Sequence, residues 1–415
     1  MNNFQINKIV VIGLGYIGLP TAALFANQGV QVVGVDINET IVRTVNQGKV
    51  HIVEPGLDSM VDAAIQTGRL RATIECESAD VFIIAVPTPF KGDHKPDISY
   101  IELAAKKLAP KLEKGNLVIL ESTSPVGTSE QLAHWLSKDR SDLSFPFSSD
   151  VPDINICYCP ERVIPGKVLH ELTMNDRILG GMTPLCASKA KKVYQLFVKG
   201  ECLITDTRTA ELAKLTENSY RDVNIAFANE MSLVCDRLGV DVWELIRLAN
   251  HHPRVNILQP GSGVGGHCIA VDPWFIVDSA QDITPLIQAA RQVNNFKPQY
   301  IVKQIEKLLV QHPNSIVACL GLSYKPDIDD LRESPAITIV KALSKQTAIK
   351  ELLVVEPHIT ALPASLKGKM ELTDYRSAVE RANIIVVLVP HTAFNRIDQA
   401  TLKDKLLINP THLWR

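Results

Sequence analysis

A single cysteine closes the most glycine-dense run of this 415-residue chain. Pro260-Gly261-Ser262-Gly263-Val264-Gly265-Gly266-His267-Cys268 leads into Ile269-Ala270-Val271-Asp272-Pro273. Glycines let a backbone close on a ligand. A thiol at the lip of such a loop is a candidate nucleophile, whereas a cysteine lost among apolar residues is inert. A second constellation, Pro160-Glu161-Arg162-Val163-Ile164-Pro165-Gly166, sets a carboxylate beside an arginine after a strand-like run. It suits proton transfer next to a phosphate or a hydroxyl-rich ligand; a solvated surface ion pair is the alternative. A third lies on helix-forming sequence. Glu211, Lys214, Asn218 and Arg221 are spaced three, four and three, which puts them on one helical face. Such a face is either wet and laced by ion pairs, or it lines a cleft that holds an anionic, polyhydroxylated ligand.

A cofactor signature stands near the start. Gly13-Leu14-Gly15-Tyr16-Ile17-Gly18 follows the apolar run 8–12 and opens a helical stretch. These glycines allow a tight turn and close approach of a pyrophosphate to a helix N-terminus. Asp36 ends the next apolar run, 18 residues after Gly18, where a ribose-binding acid belongs. That acid repels a 2′-phosphate, so NAD is expected rather than NADP. Two further strand ends, Val86-Pro87-Thr88-Pro89 and Glu121-Ser122-Thr123-Ser124-Pro125-Val126-Gly127, point at the same crevice; ordinary turn chemistry is the alternative for any one hydroxyl. Gly321-Leu322-Ser323-Tyr324-Lys325-Pro326 closes a later strand and precedes Asp329, Asp330, Arg332 and Glu333. Lys325 and Arg332 suit phosphate contacts, and the turn is too poor in glycine for a second dinucleotide fingerprint.

The elements that must position these groups follow from periodicity. Runs at 8–12, 31–35, 80–86, 116–120 and 153–159 read as buried strands alternating with helical sequence. That implies a parallel, doubly wound sheet. From Asp206 to Leu238 the sequence is helix-forming, with Gly239 as its stop. Helices are expected over 241–250 and roughly 284–311, and strands return at 315–320, 351–355 and 383–389. The fold class is α/β, with an NAD-binding unit over 1–205, a helical middle over 206–311 and a second α/β unit over 312–415.

Composition bounds the rest. Hydrophobic residues make up 46% and charged residues 21%, with a net charge of -2. A core can be built, and neither nucleic acid nor an anionic membrane is expected as a partner. The apolar runs are strand-length, far below the ~20 residues of a membrane span. No signal-peptide layout is read at the N-terminus. The other cysteines, at 76, 157, 159, 186, 202, 235 and 319, are scattered, and Cys157/Cys159 lacks a second pair at zinc spacing. No metal is expected, and a reducing, cytoplasmic setting is the default.

Taken in order, these motifs resemble the UDP-glucose/GDP-mannose dehydrogenase family over essentially the whole chain. The closest stretches are 160–166, 215–230, 243–272 and 321–334. The resemblance implies a Rossmann-type NAD domain, a central long helix that builds a homodimer, and a C-terminal Rossmann-like domain for a UDP-sugar. It implies a four-electron oxidation of a sugar C6 alcohol to a carboxylate with two NAD. Cys268 would be the nucleophile, forming a thiohemiacetal and then a thioester. Lys214 would stabilise the oxyanion, Asn218 would position a water or oxyanion, Glu161 would accept a proton, and Asp272 would orient the catalytic groups. Arg162, Val163, Arg221, His252, Arg254 and Gly265 would hold the sugar nucleotide, with Lys214 and Asn218 beside it, and Tyr324 and Lys325 would reach it from the C-terminal lobe. Gly13, Gly15, Tyr16, Ile17, Gly18, Asp36, Thr88, Thr123, Ser129 or its neighbour Thr128, and Arg332 would contact NAD. Glucose-type members read Phe-Leu after the glutamate of the Pro-Glu motif, and Arg162-Val163 here favours an acetamido sugar over UDP-glucose. The C2 configuration rests on the resemblance alone, which implies UDP-N-acetyl-D-mannosamine above UDP-N-acetylglucosamine, serving bacterial surface polysaccharide synthesis. Two rival classes make different demands. A two-electron hydroxyacid dehydrogenase needs a lysine but no cysteine and no third lobe. A non-catalytic sensor of NAD and sugar nucleotide needs no intact set of Glu161, Lys214, Asn218 and Cys268.

Overall fold

The structure, a computed structural model, describes residues 4–92, 94–164, 166–366, 368 and 370–414. Pro165 of the Pro-Glu loop lies outside them. The chain packs as two compact units, Met1–Thr216 and Glu217–Arg415.

The first unit is built on an eight-stranded sheet. Its order is Leu70–Thr73, Gln31–Val35, Lys8–Ile12, Val81–Ile84, Leu117–Leu120, Asn155–Tyr158, Arg177–Gly181, Cys202–Asp206. The central strands are apolar on both faces because both are covered. Ile9, Val11, Ile83 and Ile119 pack with Leu19 and Phe25 on one side. Val10, Ile12, Phe82 and Ile84 pack with Ile101 and Leu132 on the other. The first six strands are parallel, and their order is that of a dinucleotide-binding sheet. Two strands correct the all-parallel expectation. Arg177–Gly181 runs antiparallel to Asn155–Tyr158, and Cys202–Asp206 pairs parallel to Arg177–Gly181. An antiparallel return needs no crossover across a sheet face, which frees the connection after Tyr158 to carry the Pro-Glu loop.

The second unit contains a five-stranded parallel sheet in the order Met370–Leu372, Ile349–Val355, Ser315–Leu320, Ile384–Val387, Leu406–Ile408. The helix Pro285–Gln311 serves two packings. Its last turns lend Ile301, Ile305 and Leu309 to the core of this sheet. Its earlier turns meet the 32-residue helix Thr207–Leu238 through buried polar pairs. Arg291 Nη1 donates to Asp222 Oδ1 at 2.7 Å, Asn229 Nδ2 donates to Asn294 Oδ1 at 2.9 Å, and Lys297 Nζ donates to Ser232 Oγ. Burial pushes the Lys297 ammonium down to about 8. The same ladder reaches the glycine run, since Gly261 N donates to Asn229 Oδ1 at 2.9 Å. No helix among the described residues is long and apolar enough to cross a membrane.

Candidate active site

The glycine turn of the first unit separates structural from ligand demands. Gly13 has φ +94°, and a Cβ there would lie 2.5 Å from the Ala85 carbonyl oxygen. At Gly18 a Cβ would lie 1.8 Å from the carbonyl oxygen of Gly13. The turn itself requires both glycines. At Gly15 no described atom comes within 4 Å of the Cβ position, so the chain's own packing makes no demand for glycine there and the backbone is open to a ligand. Helix Gly18–Asn27 presents its N-terminus to that point. Asp36 is half-buried and accepts from Leu14 N at 2.9 Å and Asn38 N at 2.8 Å. That places its carboxylate at the end of the second strand, against the glycine turn at Leu14; in the same turn Tyr16 is exposed and Ile17 half-buried. These residues fit NAD: a bare backbone for the pyrophosphate and an acid for a ribose diol. His51, which motif reading missed, lies near Asp36; burial pushes its imidazole down, against the pull of the Asp36 charge.

The hydroxyl loops of the same unit have specific occupations. Thr88 is buried and Thr123 is half-buried. Ser129 is fully buried and gives its N–H (2.8 Å) and its hydroxyl (2.7 Å) to Glu211, which also accepts from Gly127 N at 2.6 Å. Glu211 therefore caps the helix Thr128–Asp139. Of the four residues on that face of the long helix, Glu211 is 0% and Lys214 8% exposed, Asn218 is half-buried, and only Arg221 is fully wet. The wet-face reading fails for the first two turns.

Glu161 and Lys214 belong together in this unit. Burial raises the Glu161 carboxyl above the ordinary carboxylate range; the charges of Lys214 and Arg177, and the Val163 N–H at 2.9 Å, act in the opposite direction. Arg162 donates to the Asp176 carbonyl, and Val163 packs on the sheet core. Two supports were invisible in the motifs. Glu54, buried, accepts from Gly166 N at 2.8 Å and Val168 N at 2.7 Å, pinning the end of the Pro-Glu loop. Behind the loop, Arg177 bonds Glu121 at 3.0 Å and Cys159 Sγ at 3.2 Å, and Tyr194 gives its hydroxyl to Glu121 at 2.6 Å. Those pairings are far apart in sequence, so no local pattern announces them.

The second unit holds the cysteine. Seven of the eight cysteines are buried; Cys268 is exposed. Its carbonyl accepts from Val271 N (3.0 Å) and Asp272 N (2.9 Å), a turn that opens the helix Asp272–Ser279. Asp272 is buried, and its Oδ2 accepts from Asn218 Nδ2 at 2.5 Å. The pair fixes the amide of Asn218, one turn beyond Lys214 on the same helix. Gly263, Gly265 and Gly266, ahead of Cys268, are close-packed by the chain itself. A Cβ at Gly265 would lie 2.5 Å from the Glu333 carbonyl oxygen and 2.9 Å from Tyr324 Cβ, and one at Gly266 would meet the Tyr324 ring. Tyr324 is half-buried against this loop and Lys325 is exposed beside it. Arg332 pairs with Asp330 at 2.6 Å. His252 and Arg254 are exposed on the turn after helix Val242–Ala249, where Arg254 N donates to His252 Nδ1 at 3.3 Å.

Comparisons with known proteins agree with this layout. The NAD-binding domain of the UDP-glucose/GDP-mannose dehydrogenase family matches residues 7–198, its central domain 208–296, and its UDP-binding domain 318–413. The UDP-N-acetyl-D-mannosamine dehydrogenase of Campylobacter jejuni is 58% identical over 94% of this chain and 97% of its own. The NDP-N-acetyl-D-galactosaminuronic acid dehydrogenase of Ralstonia solanacearum is 57% identical over 98% of this chain and 96% of its own. The solved UDP-D-ManNAc dehydrogenase of Pyrococcus horikoshii superposes with a TM-score of 0.88 at 37% identity, covering 98% of this chain and 96% of that one. With an NAD-binding sheet, a helical middle and a UDP-binding lobe each matched in order, the chain belongs to the UDP-glucose/GDP-mannose dehydrogenase family and is an NAD-dependent UDP-sugar dehydrogenase.

Proposed function

We propose that this enzyme oxidises the C6 alcohol of UDP-N-acetyl-D-mannosamine to the uronate through a covalent adduct on Cys268, in the bacterial cytoplasm, for surface polysaccharide synthesis. The observation that carries the reading is the exposure of Cys268 beside the bond from half-buried Asn218 to buried Asp272, where the seven other thiols are inside the protein. The Gly13–Gly18 turn and Asp36 would hold NAD, which would supply the hydride acceptor for each oxidation. The chain's residues do the rest. Cys268 adds its sulfur to the aldehyde carbon, so the aldehyde cannot escape, and the resulting thiohemiacetal becomes a thioester once its hydride has left. Lys214 offers its ammonium to the oxygen on which charge develops. Glu161 takes a proton, a role suited to a carboxyl raised by burial. Asn218, oriented by Asp272, places the water that releases the acid and restores the thiol. Arg162, Val163, Arg221, His252, Arg254, Gly265, Tyr324 and Lys325 hold the sugar nucleotide. Tyr16, Ile17, Thr88, Thr123 and Arg332 complete the cofactor contacts, and Ser129 acts by shaping its turn.

A galacto-configured N-acetyl sugar is the second reading, favoured by the Ralstonia relative. The test is NADH formed per sugar at completion for UDP-N-acetylmannosamine, UDP-N-acetylgalactosamine, UDP-N-acetylglucosamine and UDP-glucose. Two NADH per UDP-N-acetylmannosamine, with little turnover of the others, is the expected result. Two from the galacto sugar instead would move the substrate and keep the chemistry. One NADH per sugar would remove the thioester route.

The homodimer is part of the same proposal. Tyr220, Phe227 and Val234 are exposed apolar residues at seven-residue spacing along the long helix, the period that keeps one stripe against a partner helix. Phe227→Asp is expected to convert a dimer to a monomer in sedimentation equilibrium. A variant that stays dimeric at the same concentration would place the interface elsewhere.

A further inference from the structure

The two Rossmann-like sheets use the acid at the end of their second strand in opposite ways. In the first, Gly13 N donates to Val35 O at 2.8 Å; in the second, Gly321 N donates to Val355 O at 2.7 Å. Asp36 and Glu356 follow these strands at matching places. Asp36 takes two backbone N–H groups and stays half-buried. Glu356 is buried and takes Leu322 N at 2.7 Å, Ser323 N at 3.0 Å, His358 N at 3.2 Å and the His391 ring at 3.0 Å. Buried and engaged by four of the chain's own groups, Glu356 is not presented to a ribose.

His391 fills the position behind it. Its ring is fully buried. Asp327 N donates to Nδ1 at 3.0 Å, which makes Nδ1 the acceptor nitrogen and leaves the Nε2 proton for Glu356 Oε2, with Ser323 Oγ at 3.3 Å from the same nitrogen. Ser323 Oγ in turn donates to the Lys325 carbonyl at 2.7 Å. Asp327 has φ +61°, a left-handed conformation unusual for a residue with a side chain. Its carboxylate accepts from Thr392 N at 2.9 Å and Thr392 Oγ1 at 2.5 Å. Asp327, His358 and His391 each bring a ligand atom within 4.8 Å of the others, but both His391 nitrogens are already engaged by the chain, which argues against a metal there.

We propose that His391 is a positioning residue for substrate binding: with Glu356 it turns a dinucleotide-type crevice into a rigid seat for the loop 321–327, and its Nδ1 holds Asp327 in the left-handed turn that sets Tyr324 and Lys325. This rests on the reading that Tyr324 and Lys325 touch the sugar nucleotide. The two ring nitrogens can be tested apart. In His391→Asn the side-chain oxygen stands near the place of Nδ1 and keeps the acceptor; in His391→Gln the amide nitrogen stands near the place of Nε2 and keeps the donor. The expected result is a KM for the UDP-sugar raised about tenfold, equivalent to about 1.4 kcal/mol, in His391→Gln. It should change by less than about threefold in His391→Asn, with kcat and the KM for NAD held in both. A wild-type KM in His391→Gln, or an equal rise in both variants, overturns the proposal. Should His391→Gln fail to fold, Thr392→Val removes one hydroxyl bond to Asp327, and an unchanged KM there overturns it too. Lys325→Ala separates the premises. A KM raised by Lys325→Ala but not by His391→Gln defeats the His391 role alone, and a KM unmoved by Lys325→Ala defeats the reading of the loop together with it.

Discussion

Cys268→Ser is expected to stop steady-state formation of the acid, by a factor on the order of 10³ or more, as removal of a catalytic nucleophile commonly does. The argument is one of retention. Alcohol oxidation yields an aldehyde, and the second oxidation needs a tetrahedral carbon that can give up hydride. In the proposed route the sulfur of Cys268 supplies that carbon by addition, and thioester hydrolysis then returns the thiol. A serine hydroxyl at the same exposed position on the loop is a far weaker nucleophile at neutral pH. The first half of the reaction uses no sulfur, so the variant should still reduce externally added UDP-sugar aldehyde with NADH. Loss of both half-reactions would point to a collapsed loop rather than a missing nucleophile. Normal acid production would put the nucleophile elsewhere; the seven other cysteines are buried and Cys319 is pushed up to about 12, so a route without any thiolate would have to be considered.

What the sequence disclosed and what it withheld divide along the range of the interaction. The strands 8–12, 31–35 and 315–320 are continuous apolar runs covered on both faces, and they lie within a residue of expectation. The strand Leu70–Thr73 went unread because it is an edge strand with Arg71 exposed, so its pattern is half polar. Arg177–Gly181 begins with a buried charge, which no propensity argument favours until Glu121 is known to face it. Gly13, Gly18 and Asp36 were legible because turn chemistry is local. Glu54 was not, and neither was the capping role of Glu211, because each acts on backbone N–H groups far off in sequence, 112 and 84 residues away for Gly166 and Gly127. Gly265 is expected at the sugar nucleotide, and the place a side chain would take at Gly265 and Gly266 is already filled by Glu333 and Tyr324. A glycine reports close approach; it does not say of what.

Lys214→Ala is expected to lower kcat by roughly 10²–10³, the scale of losing a preorganised charge at a developing oxyanion, while the KM for the UDP-sugar moves by less than about threefold. Lys214 is buried on the second turn of the long helix, so its side chain is held by packing and its charge acts in a medium that screens little. The same charge acts on Glu161, whose carboxyl is raised first by burial and drawn back by Lys214. Removing the ammonium leaves burial less opposed, and the carboxyl must rise further. Glu161 accepts a proton only when ionised, so the acid limb of kcat/KM starts above the ordinary carboxylate value of about 4.3 and moves to still higher pH in the variant. The two readouts separate the possible roles. A loss confined to KM would make Lys214 a binding group, and a fall in kcat with an unmoved acid limb would break the link between Lys214 and Glu161. A fall in kcat with the limb displaced upward is the signature of one buried cation serving both the oxyanion and the base.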